Sequence, residues 1–112
     1  MEQAGICQIS TVEAVMNVIG GKWTFPILCN LLRGDSRFTE IQHHLDGISP
    51  KMLSRRLLEL TENGIITRNV IPELPPRVEY RLTAKGKDLR PLFQAIGTWG
   101  TTWNITETST AQ

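Results

Sequence analysis

The sequence predicts a mainly α fold carrying one small β-hairpin, and three observations support this. Apolar residues recur three and four places apart in five segments, the spacing shortens towards two between Ile66 and Leu82, and glycine or proline marks most of the changes. At 112 residues the chain has room for one core. A single domain is therefore expected over 1–112, with its packed part at about 10–104 and a flexible polar tail at 105–112.

The first helix is expected from Ser10-Thr11-Val12-Glu13, a capping-box pattern, with Val12, Val15, Met16 and Ile19 on its apolar face and Gly20-Gly21 behind it. A second follows Lys22, where Trp23, Ile27, Leu28, Leu31 and Leu32 keep helical spacing and Gly34-Asp35 supplies the stop. Pro26 falls in its first turn, where a missing amide proton costs little. Thr39 can cap a short third helix holding Ile41 and Leu45, which Gly47 ends. Ser49-Pro50 is a strong start for the fourth, with serine as cap and proline in the first helical position. Its Leu53, Leu57 and Leu60 form one buried stripe, and Asn63-Gly64 closes it as a left-handed cap.

Ile66–Ile71 and Val78–Leu82 are β-rich runs on either side of a stiff Pro72-Glu73-Leu74-Pro75-Pro76 tip. Val78, Tyr80 and Leu82 are expected to face inward, Glu79 and Arg81 outward. Thr83 then caps a last helix through Leu89, Leu92, Phe93, Ile96, Trp99 and Trp103. Closely joined third and fourth helices, a hairpin and a final helix give the order of a winged helix-turn-helix.

Composition leaves few other classes. With 40% hydrophobic and 21% charged residues the chain reads as globular, and no apolar run approaches the roughly 18 residues of a membrane span. No secretory start is visible, so a cytoplasmic protein is expected, in which Cys7 and Cys29 form no disulfide framework. An enzyme finds little support: there is no His-x-x-x-His, Cys-x-x-Cys or Gly-rich phosphate loop, and the adjacent His43 and His44 point about 100° apart on a helix. No metal and no cofactor are expected.

A net charge of +1 does not by itself suggest nucleic acid, but its distribution does. Ser49–Leu58 holds Lys51, Arg55 and Arg56 and no carboxylate. With the leucine stripe turned inward, Lys51, Arg55 and Leu58 lie near the centre of the outward face and Ser54 at its side. An α-helix fits the major groove of B-DNA, where arginine can fork to guanine, lysine can reach phosphate or guanine, and leucine can touch a thymine methyl. Ser49, Pro50 and Lys51 mark the helix start, where backbone amides can hold a phosphate. A basic helix face is ordinarily only a solvated face; the missing acids and the following hairpin favour DNA here. Arg56 borders the leucine stripe and is expected to brace the fold or meet a carboxylate. Arg77 beside the tip is the expected wing contact, in a narrow minor groove. Arg68 and Arg81 are either further wing cations or cross-strand partners of Glu79 or Glu73.

Four runs carry a further resemblance: Ile19-Gly20-Gly21-Lys22-Trp23, Arg37-Phe38-Thr39-Glu40-Ile41, Gly47-Ile48-Ser49-Pro50-Lys51-Met52-Leu53 and Pro75-Pro76-Arg77-Val78-Glu79-Tyr80. With Leu82-Thr83 and Gly86 they resemble the HxlR family of regulators over about residues 10–100. The resemblance implies winged-helix dimers related to the MarR regulators, binding palindromic operators as repressors or activators without a catalytic site. Several members of that family sense oxidants, quinones or aldehydes through a cysteine near the amino terminus. Ser10 stands at that position here, so the resemblance assigns no sensor; Cys7, three residues earlier, is either a redox sensor, its thiolate favoured by the positive end of helix one, or an unreactive thiol.

Trp99 and Trp103, one turn apart with little chain left to cover them, suggest a dimer interface. The expected homodimer joins helix one (Val12, Val15, Met16) to the last helix (Phe93, Ile96, Trp99, Trp103), setting two reading helices about 34 Å apart on double-stranded DNA. The expected partners are thus an operator, a second copy of the chain and a small-molecule or oxidant effector, with no membrane. A winged helix serving only protein interaction is the alternative; it would tolerate loss of Lys51 and Arg55.

Overall fold

A computed structural model describes residues 8–105; Cys7 and tail positions 106–112 lie outside the described residues. The elements run α1 (Ile9–Ile19), α2 (Thr24–Leu32), α3 (Phe38–His43), α4 (Pro50–Glu62), β1 (Ile66–Ile71), β2 (Arg77–Leu82), α5 (Ala84–Lys87) and α6 (Leu89–Thr102).

Most starts and stops fall where the residues dictate. The Ser49 hydroxyl accepts the Met52 amide at 3.1 Å, Pro50 takes the first position of α4, and Gly64 beyond it has φ +72°. Pro26 sits in the first turn of α2, and Gly34, with φ +117°, lets the chain leave that helix. Two expected caps are corrected. In α1 the helix starts two residues early, capped at Gln8, whose carbonyl accepts the Val12 amide, so Ser10 lies inside the helix. In α3 the cap is Arg37 and not Thr39: the Glu40 carboxylate reaches back and accepts the amides of Ser36 and Arg37, both at 3.0 Å. A carboxylate at the third position satisfies the orphan donors that a hydroxyl would otherwise take.

The final segment is also two helices rather than one. Pro91 has no amide proton to give the Lys87 carbonyl four residues back, and the helical ladder breaks at Asp88. The Thr83 side chain caps α5 by accepting the Gly86 amide at 3.2 Å. The same hydroxyl lies 2.7 Å from the Gly64 carbonyl and 3.0 Å from that of Ile65. Gly86 is buried there, and a Cβ on it would strike the Ile65 carbonyl and the Leu82 side chain. The end of α4, the start of β1 and α5 are thus held at one point.

The two strands pair antiparallel with Ile66 opposite Leu82 and Ile71 opposite Arg77. A short bridge adds Arg37 against Glu79, and the Tyr80 amide donates to the Ser36 carbonyl at 2.7 Å. The chain entering α3 is thereby fastened to the hairpin. Tyr80 and Leu82 pack on the core as expected. Glu79 does not face freely outward, because its side chain is only 14% exposed between arginines. Val78 is half-buried but lies opposite the exposed Val70, past the edge of the core.

One cluster holds the fold: Ile27, Leu28 and Leu31 of α2, Ile41 of α3, Leu53, Leu57 and Leu60 of α4, with Ile19, Leu45, Ile48, Ile65 and Ile66 around them. Each fully buried side chain of this kind contributes about 1.5–3 kcal/mol. In contrast, α6 has no buried residue. Leu89 and Phe93 pack against the cluster, the Phe93 ring meets Phe25 edge-on at 4.7 Å, and Arg90 donates to the Leu32 carbonyl at 2.7 Å.

Candidate nucleic-acid interface

The leucine stripe of α4 fixes which way its other side chains point. Leu53, Leu57 and Leu60 are at most 1% exposed, and the opposite face carries Lys51, Ser54, Arg55 and Leu58, all open to solvent. Ser49 and Pro50 are exposed at the start of the same helix. Among the described residues neither Lys51 nor Arg55 has a carboxylate partner. Arg56, one residue on, turns towards the flank and binds Glu59 of the same helix at 2.7 Å, the carboxylate contact that was one of the two roles expected of it.

The helix is presented by what precedes it. After α3 the His44 amide donates to Glu40 and the Leu45 amide to Gln42, and Gly47, with φ +89°, redirects the chain into Ser49. Leu45 and Ile48 are buried, which anchors this turn on the core beneath α4. His44 contacts Asp35 through Nδ1 at 2.8 Å, tying the far end of α3 to the loop before it. His43 and His44 stack edge-on at 5.4 Å, and no group of three or more potential metal ligands occurs among the described residues.

The hairpin sorts its arginines in a way the sequence reading only partly foresaw. Arg77 lies between two carboxylates, with Nη1 3.1 Å from Glu73 and Nε 3.1 Å from Glu79. Arg81 also binds Glu79, at 2.9 Å, but along its own strand rather than across the ladder. Alternation by two had put Arg77, Glu79 and Arg81 on one face, and that signal was in the sequence. Hydrogen bonding from Arg81, then the charges of Arg77, Arg81 and Arg37, hold the Glu79 carboxyl below its ordinary range. Arg68, opposite Tyr80, is exposed and has no carboxylate partner among the described residues. It is the freer wing cation.

Of the expected interface residues, Val12, Val15, Met16, Ile96, Trp99 and Trp103 are exposed, the two tryptophans by 60% and 66%, whereas Phe93 is half-buried against Phe25 and the core. Exposed Ile9 and Leu92 extend the same apolar surface. Cys29 is half-buried on α2, and burial raises its thiol pKa, with Arg33 pulling the other way, so it is a poor source of thiolate. Among the described residues no helix is long and apolar enough to cross a membrane.

This arrangement joins a solvent-facing cationic helix, preceded by a tight helix–turn, to a two-stranded hairpin with an exposed arginine. Comparisons with known proteins agree. The family model described as HxlR-like helix-turn-helix matches residues 18–108. An HTH-type transcriptional regulator of Methanothermobacter thermautotrophicus is 48% identical over 92 residues, covering 82% of this chain and 70% of that protein. Among solved structures, a MarR-family transcriptional regulator from Enterococcus faecalis superposes with a TM-score of 0.80 at 34% identity, over 87% of this chain and 88% of that one. The reduced form of the transcriptional regulator YodB from Bacillus subtilis gives 0.75 at 39% identity, over 85% and 91%. YodB has also been crystallised after diamide treatment. A winged helix-turn-helix with these relatives, matched by that model over most of its length, belongs to the HxlR-like helix-turn-helix family of transcriptional regulators.

Proposed function

We propose that the chain works in the cytoplasm as a single-domain homodimer that binds a palindromic operator and represses transcription, without catalysis or a cofactor. The observation that carries this reading is the outward face of α4, where Lys51 and Arg55 stand exposed with no carboxylate partner among the described residues while Arg56, Arg77 and Arg81 are taken up by carboxylates. Arg55 forks to a guanine, Lys51 meets phosphate or guanine, Ser54 meets phosphate and Leu58 meets a thymine methyl. The helix start at Ser49 and Pro50 holds a phosphate through the amides of Ser49 and Lys51, proline having none to give. Arg68, and Arg77 once released from Glu73, reach the minor groove. The exposed faces of α1 and α6 supply the dimer.

Diamide treatment of the related YodB supports a response to oxidants, and Cys7 is the residue assigned to it here. The test is binding to the DNA upstream of the protein's own gene, followed by fluorescence anisotropy between 50 and 200 mM salt. Lys51→Ala and Arg55→Ala should each cost about 1–3 kcal/mol and lower the salt slope by about 1. Binding that both variants leave unchanged would overturn the DNA reading. Diamide should release DNA from the parent protein and not from Cys7→Ser.

A further inference from the structure

Away from α4 and the exposed dimer faces, the molecule has an open cleft of about 420 Å³ between the end of α2, strand β2 and the α5–α6 junction. Small-molecule sites of this size are typically apolar with a few placed polar groups. The cleft is more polar than that: Leu31, Leu32, Tyr80 and Leu82 line it together with Asp35, Ser36, Arg81, Lys87 and Arg90, in nearly equal exposed measure.

Its charges do not cancel. Asp35, the acid in the lining, lies 2.8 Å from His44 Nδ1 and Arg81 is paired with Glu79, so that Lys87 and Arg90 still outnumber the one carboxylate. Lys87 is exposed with no carboxylate partner among the described residues. Arg90 has none either; its Nη2 bonds the Leu32 carbonyl at 2.7 Å. The negative end of α2 is therefore already covered, because the Gly34 amide also takes the Leu31 carbonyl at 3.2 Å. Two other clefts are less apt. The one behind Lys22 and Arg56 has Arg56 spent on Glu59, and the one between α1 and Leu89 is almost wholly apolar.

We propose that the cleft binds a small organic carboxylate with an apolar body, the carboxylate held by Lys87 and Arg90 and the body laid on Leu31, Leu82 and Tyr80. Arg90 is one of the few tethers between α6 and the rest of the fold. A carboxylate that draws its guanidinium off Leu32 therefore changes how α6 is seated relative to α2. The binding site stands on the cleft alone; an effect on DNA rests additionally on the regulator reading.

The experiment is calorimetric titration of the full chain, without DNA, with phenylacetate, 3-phenylpropanoate and hexanoate, each against its neutral amide. At least one acid should saturate one site per chain, with its amide about tenfold weaker or more, the scale of one charge-assisted bond pair. Lys87→Gln and Arg90→Gln should each weaken that acid about five- to tenfold and leave the amide alone. Lys87 is exposed, so its variant keeps the parent melting curve and separates binding from folding. The proposal fails if no acid saturates below about 10 mM, if acid and amide bind alike, or if both variants bind the acid as the parent does. A second titration asks whether the same acid shifts DNA affinity in the parent but not in Lys87→Gln. Absence of any DNA binding would sink the regulator reading and leave the site intact.

Discussion

Arg77 shows how far one residue's role depends on its neighbours. Held by Glu73 and Glu79, it cannot meet a phosphate without leaving a carboxylate behind. Glu73→Gln should therefore raise DNA affinity about two- to fivefold, the scale of one exposed ion pair, and steepen the salt dependence. An anisotropy titration showing no gain would place Arg77 outside the contact. Glu40 has the opposite character. Its two backbone hydrogen bonds, from Ser36 and Arg37, hold its pKa below the ordinary range, so its contribution to stability is full above the unfolded-state value and is lost as pH falls through the lowered folded value. Thermal melts should show stability dropping below about pH 4, with a flatter acid limb in Glu40→Gln, which keeps the acceptor but not the titration.

At the scale of elements, α4 was legible because each of its signals is local: a serine cap, a proline in the first position, a leucine stripe and Asn63-Gly64. Its Ser49 has two separable duties. Ser49→Ala should cost about 1 kcal/mol of stability by losing the cap. Ser49→Asp should keep the cap, since a carboxylate suits a helix start, yet lower DNA affinity at least tenfold by repelling phosphate. Equal DNA binding by Ser49→Asp would remove the helix start from the contact. The start of α3 was less legible because its cap is a carboxylate three residues in, set by a chain already pinned to β2 through Tyr80 and Ser36. The break between α5 and α6 was readable from Pro91 alone. The pairing of Arg81 along its strand, rather than across it, was likewise readable from alternation by two, which puts Arg77, Glu79 and Arg81 on one face.

For the molecule as a whole, shape and surface agree with each other. The radius of gyration is 16.0 Å, against about 13 Å for a compact domain of this length. The excess fits the open faces of α1 and α6, whose Val12, Met16, Ile96, Trp99 and Trp103 are each more than half exposed. Trp99→Glu should leave the far-ultraviolet spectrum of the chain unchanged, shift its mass in sedimentation from dimer to monomer, and weaken DNA binding at least tenfold as one half-site is lost. A Trp99→Glu protein that still sediments as a dimer would move the interface elsewhere. The leucine core and the exposed tryptophans were both visible in the sequence, whereas the cationic cleft at the α5–α6 junction was not. Its residues come from three separated segments that only the folded chain assembles.

A helix such as α6, with no buried residue of its own, has one more consequence. If a second copy supplies the missing cover, the order of α6 obeys mass action, and its melting temperature rises with the logarithm of protein concentration. Dilution then acts on the molecule as a mild denaturant would, loosening α6 while the leucine core stays intact. The number of copies in a cell becomes a variable that sets how many of them are competent to sit on DNA.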